Sequence, residues 1–205
     1  MTTHHGEQDA SARTSGMGRL ESARLARSAA RWAEHGRVGR LLEPALALVA
    51  DRLVPPGRWA DLLRGAPLGH AAHPALTDVP IGLGLAVAAL DLTGGRAARP
   101  AARRLLGMAV LSSAPAALTG LAEWQRASDR DRRAGSVHAV ANVGAVSLYA
   151  ASWWARRRGH HTRGVASALL GSSLAGAGAW LGGHLAIARK VGSHDEQLDA
   201  AREGG

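Results

Sequence analysis

Cysteine is absent from the 205-residue chain, which removes disulfides, thiolate metal sites, Cys-ligated iron–sulfur clusters and Cys nucleophiles together. Phenylalanine is absent too, and among 25 Lys+Arg all but Lys190 are Arg. No GxSxG, HExxH, Walker or GxGxxG motif stands in a usable context, so soluble enzyme chemistry is not indicated. The first residues, MTTHHGEQDASARTSG, lack the basic and apolar regions of a signal peptide. Membrane insertion is therefore expected to come from internal segments.

What is present is unevenly spread. Hydrophobic residues make up 46% of the chain, an ordinary share for a soluble protein, yet they concentrate between Val79 and Ala188. Four segments approach or meet the roughly 17–25 mostly apolar residues that a membrane-spanning helix needs: Val79–Gly95, Leu105–Ala122, Gly135–Ala155 and Val165–Ala188. The last three carry no charged residue when His138 and His184 are neutral; the first carries Asp91. Because Ala and Gly dominate, hydrophobicity per residue is modest and a soluble helical bundle stands as the alternative. Small residues at four-residue spacing favour close helix packing in lipid: Ser112, Ala116 and Gly120, then Ala175, Ala179 and Gly183. Trp124, Trp153 and Trp154 close spans where amphipathic rings prefer the interface. The expected fold is all-α: a four-helix transmembrane bundle running up, down, up and down, in a multi-pass protein of the cell membrane.

The formal charge is +9, and the arginines crowd the gaps between spans. Such a basic excess suits lipid headgroups, with the bilayer as partner; nucleic acid is not indicated, because no binding motif accompanies the charge. The chain divides into a flexible basic tail (1–37), an amphipathic interfacial segment (38–65), a membrane domain (66–190) and a polar C-terminal tail (191–205). Within these, Val38–Val54 reads as an amphipathic helix interrupted by Pro44, and Arg19–Glu34 could form another helix. No internal repeat is evident. The side on which span one begins is here called the near side; eight Arg and no acid in the opposite loops favour a cytoplasmic far side, whereas the basic N-terminal tail favours a cytoplasmic near side.

An up-and-down topology places the start of span one, the end of span two, the start of span three and the end of span four at that near side. His70, His73 and Asp78 precede span one; Glu123 and Trp124 follow span two. At 1.5 Å rise per residue, His138 lies roughly 4–5 Å and His184 roughly 7–8 Å inside their helices. Asn142 shares a helical face with His138, and Trp180 with His184, as partners that could orient the rings. Four histidines at one level could ligate haem b iron in pairs or a transition metal through three or four imidazoles. The alternative is structural imidazoles that hydrogen-bond to carbonyls in a non-catalytic scaffold. A small transporter would need more polar residues through spans two and four. Pro74 biases His73 toward an extended conformation. Thr77 or Asp78 is the expected N-cap of span one, with Pro80 in its first turn. Asp91 most simply pairs with a loop arginine such as Arg96, and His160 and His161 belong to a polar loop.

The stretches GHAAHPALTDVPIGL, LDLTGG, APAALTGLAEW, HAVANVGAVSLYAASW and LGGHL, over about residues 66–188, resemble the DUF2231 family of predicted bacterial membrane proteins. That resemblance implies four transmembrane helices and no established activity; the family's recurring histidines correspond to His73, His138 and His184. Some members are fused to a Rieske domain, which hints at electron transfer, and the family is similar to small membrane cytochromes. This chain has no Cys for a Rieske cluster, so a redox partner would be a separate protein. The expected cofactor ligands are His73, His138 and His184 with His70 in reserve, supported by Asn142 and Trp180.

Overall fold

The computed structural model describes residue 21 and residues 24–191; the expected tail segments outside them, including the C-terminal tail beyond 191, fall outside the described residues. Among the described residues there are seven α-helices and no strand. Helix α1 runs through residues 24–35, inside the stretch expected as a tail. It is followed by α2 (Arg37–Leu53), α3 (Arg58–Arg64), a 3-10 turn (Ala66–Leu68), α4 (His73–Thr93), α5 (Arg99–Arg126), α6 (Asp129–Arg157) and α7 (His161–Gly183). A π-helical turn, His184–Ala188, extends α7.

Helix α2 keeps Pro44 inside and packs its small residues against α6; a Cβ on Gly39 would lie 2.7 Å from the Arg133 carbonyl oxygen. Its larger residues Leu41, Leu48 and Leu53 remain exposed, as on a helix lying in an interface. Helix α6 starts from Ser128, whose hydroxyl accepts from the Asp131 amide, and carries Asp129 and Asp131 in its first turn. Both features stabilise a helix N-terminus.

The start of α4 differs from expectation. The helix begins at His73 with Pro74 in its first turn, Thr77 donates back to the Pro74 carbonyl (2.7 Å), and Pro80 is interior. The N-cap, Ala72, makes no side-chain cap bond, and Glu123 of α5 lies beside the His73 main chain. His161 likewise belongs to the first turn of α7, with only His160 left outside.

Helices α4, α5 and the α7 segment His161–Ala188 are long and apolar enough to cross a membrane, but α6 is not among them. His138 and Asn142, which lower its hydropathy, are turned inward. Only 11% of the α4 window is buried within the protein. Leu85, Leu92, Leu111, Val143 and Leu170 lie exposed on these helices, the reverse of a soluble bundle, whose outer faces are polar.

Helix α4 packs on α5, α5 on α6, α6 on α7, and α7 back on α4. The two hairpins, α4–α5 and α6–α7, bury residues at matching positions. Buried Gly84 and Val87 of α4 correspond to buried Tyr149 and Ser152 of α6. Buried Ala102, Leu106, Ala109, Ala116 and Thr119 of α5 correspond to Gly164, Ala168, Gly171, Gly178 and Leu181 of α7. Equivalent residues of α4 and α6 also touch one another. Asp91 pairs with Arg156 at a separation of 65 residues, and His73 with His138 and Gly84 with Tyr149 repeat that separation. The constant separation places α4 and α6 parallel and in register, as a two-fold relation along the helices would, and the two hairpins repeat one pattern of burial and contact.

Asp91 does not pair with Arg96. Its carboxylate accepts two parallel bonds from Arg156, Nη1 to Oδ1 at 2.7 Å and Nη2 to Oδ2 at 2.6 Å, while Arg156 Nε donates to Ser152 Oγ (3.2 Å). The two side chains are 4% and 2% exposed. A loop arginine would leave the carboxylate facing an apolar environment with one mobile partner, whereas Arg156 offers a fixed two-pronged donor from inside the fold. Arg157 and Arg158 cover the Trp153 and Trp154 rings at 4.8 and 4.7 Å, cation–π contacts at the far end.

Candidate histidine site

His73 and His138 meet at the near end of α4 and α6, ring centroids 6.5 Å apart and planes at 82°. Each ring is fixed by the outer helix of its own hairpin. His73 Nδ1 donates to the Ala116 carbonyl (2.8 Å) and lies 3.3 Å from Thr119 Oγ1; His138 Nδ1 donates to the Gly178 carbonyl (2.8 Å). One turn beyond each carbonyl stands a glycine. A Cβ on Gly120 or on Gly182 would lie 2.7 Å from Cε1 of the respective ring.

With each Nδ1 donating, each Nε2 is the acceptor of a neutral imidazole. The Asn142 amide approaches the His138 ring and donates to Nε2 at 3.1 Å. Anchoring of one ring nitrogen on a carbonyl is the arrangement that orients imidazole for ligation through the other. Glu123 lies beside this pair; its Oε1 is buried and has no hydrogen-bond partner among the described residues. Sequence reading placed Glu123 at the right level without assigning it a role, and it missed the glycine supports altogether.

The four-histidine set is not assembled. Among the described residues no group of three or more His, Cys, Asp or Glu side chains could hold a metal ion. His70 is exposed, its Nδ1 facing the Ala71 carbonyl at 3.0 Å. His184 turns toward α1, its Nε2 donating to Glu34 Oε1 at 2.8 Å, and Trp180 stacks on it at 6.3 Å and 14°. The cause is angular. Gly178 and Gly182 face His138, and residue 184, two positions on, is roughly 200° around an α-helix from 182.

Two geometric ties thus leave α4–α7 at the near end: one inward through the histidine pair, one outward through His184. Residues 69–195 match the family model described as a predicted membrane protein, DUF2231. The chain belongs to the DUF2231 family. No curated protein and no solved structure matches it.

In this DUF2231 chain Glu34, 3% exposed, is the hub of the outward network. It accepts from His184 and from Arg130 Nε (2.8 Å), with a further Arg130 Nη2 contact, and its main-chain carbonyl accepts from Arg133 Nε (2.9 Å). Arg189 lies 3.9 Å away and donates to Asp131 Oδ1 at 2.8 Å. Burial pushes the Glu34 carboxyl up, but the bonds from His184 and Arg130 outweigh it and hold the group below its usual range. A carboxyl depressed in the folded state contributes stability above its unfolded pKa, and that contribution is lost as pH falls through the folded value. Docking of α1 is therefore expected to weaken below about pH 4.5, seen as faster hydrogen exchange across 24–35. Glu34→Gln should exchange fast already at pH 7; an unchanged, pH-independent profile in both proteins would contradict this assignment.

Proposed function

We propose that the chain is a four-span protein of the cell membrane in which His73 and His138 ligate one haem b iron or transition-metal ion in electron transfer with a separate redox protein. The observation that carries this reading is the neighbouring imidazole pair, set edge to face, with both Nδ1 atoms tied to carbonyls. With each Nδ1 tied to a carbonyl and the rings 6.5 Å apart, the two Nε2 atoms are the donors that would hold such a group. The donor set fits a two-imidazole site, and it does not fit a tetrahedral three- or four-histidine ion. Bound there, the group would supply a one-electron couple. The residues of the chain would hold and orient it, His73 and His138 as ligands, Ala116 and Gly178 as anchors, and Asn142 as the group that must release His138 Nε2.

The fourth span in this reading is α6, 29 residues long, whose polar residues bond to α7 rather than face lipid. The near side, with α1 and the arginine-rich end of α6, is read as cytoplasmic. A second reading, a non-catalytic scaffold, draws on the bond from Asn142 to His138 Nε2, which satisfies that ring without any ligand. Absorption spectra and metal analysis of protein purified in detergent from haem-replete cells separate the two. A Soret band or one retained metal ion per chain is expected; an empty protein with neither would leave the scaffold.

A further inference from the structure

A groove of about 620 Å³ runs between α1 and the end of α7. It shares His184 with the outward network but lies on the opposite side of α7 from the histidine pair. Its floor is apolar and shallow because α7 offers Ala179 and Gly183 there, and its rim carries exposed Trp180 and Ile187. Arg27 and Arg31, one turn apart on α1 and both exposed, stand over it. The acid within reach does not oppose them, since Glu34 is already engaged by Arg130 and His184.

We propose that this groove holds one anionic phospholipid, its phosphate between Arg27 and Arg31 and an acyl chain along Ala179, Gly183 and Ile187. Charge and depth together select this occupant. The α7 wall is the last stretch of a membrane-long helix, ending just before Arg189 and Lys190, so the groove sits at the boundary between acyl chains and headgroups. A cation pair above an apolar floor at that boundary matches a molecule with an anionic head and a hydrocarbon tail. Trp180 is the amphipathic ring expected at such a level. A soluble peptide would gain nothing from a floor open to lipid.

The test is native mass spectrometry of the full chain, delipidated in neutral detergent and titrated with phosphatidylglycerol or phosphatidylcholine. One phosphatidylglycerol per chain should be retained in preference to phosphatidylcholine. Arg27→Gln with Arg31→Gln, both at exposed positions, should weaken that binding about 30-fold, at roughly one charge contact each. Arg103→Gln with Arg104→Gln, at the far end, should leave it unchanged. Equal retention of the two lipids, retention of neither, or full binding by the Arg27/Arg31 double variant would each overturn the proposal.

Discussion

Replacing Arg156 by alanine is expected to cost about 3–5 kcal/mol of folding stability in detergent, because it leaves the Asp91 carboxylate buried without its counter-charge. Asp91→Ala should cost a similar amount for the converse reason. The pair itself contributes far less than either loss, since taking both charges out of water offsets most of their attraction. Asp91→Leu with Arg156→Leu should therefore be much milder than either single alanine variant. The two-fold relation adds a sharper expectation. Exchange of the charges, Asp91→Arg with Arg156→Asp, puts each group at the equivalent position of the other hairpin and should recover most of the loss. It should not recover all of it, because Ser152, which supports Arg156, has Val87 as its counterpart. Thermal unfolding of the four variants measures this, and a charge-exchanged protein no better than Arg156→Ala would contradict the equivalence.

Gly182→Val should be the next most damaging change, at about 1–3 kcal/mol, and Gly120→Val should match it. Each would drive a side chain into an imidazole whose Cε1 already lies 2.7 Å from the position of a Cβ. The ring cannot yield without giving up its bond to the Gly178 or Ala116 carbonyl. Gly176 on the same helix has open space where its Cβ would go. Gly176→Ala should instead stabilise α7 by ~0.5–1 kcal/mol, the usual gain of removing an interior helical glycine. Unfolding of the three proteins side by side distinguishes support of the rings from general helix propensity. Equal effects at 176 and 182 would remove the glycine supports from the account.

Helix order, and apolar length for α4, α5 and α7, were legible in the sequence because they depend on composition along the chain; the fourth expected span, Gly135–Ala155, is helical but is not among those apolar enough to cross a membrane. The meetings of Asn142 with His138 and of Trp180 with His184 were legible too, since four residues make a helical turn. Depth could be counted at a fixed rise per residue; the angle around the helix could not be related to a neighbour. His184 and His138 therefore looked like one site, although the residue that faces His138 is Gly182.

The repeat escaped for a physical reason. Equivalent residues on a two-fold relation must fit each other, so a large residue opposes a small one in Tyr149 and Gly84, and an acid opposes a base in Asp91 and Arg156. Identical residues there would collide or repel. Besides His73 and His138, only Leu83 and Leu148, Ala86 and Ala151, and Gly94 and Gly159 match at this separation between residues 73 and 96, too few to announce a repeat.

That equivalence makes the most direct test of the proposed site a comparison of single histidine variants. Haem and metal content per chain would be measured for the wild type, His73→Ala, His138→Ala and His184→Ala, purified identically. Loss of the bound group in both His73→Ala and His138→Ala, with retention in His184→Ala, is the predicted result. Retention in either of the first two, or loss only in His184→Ala, would contradict a site shared equally by the two hairpins.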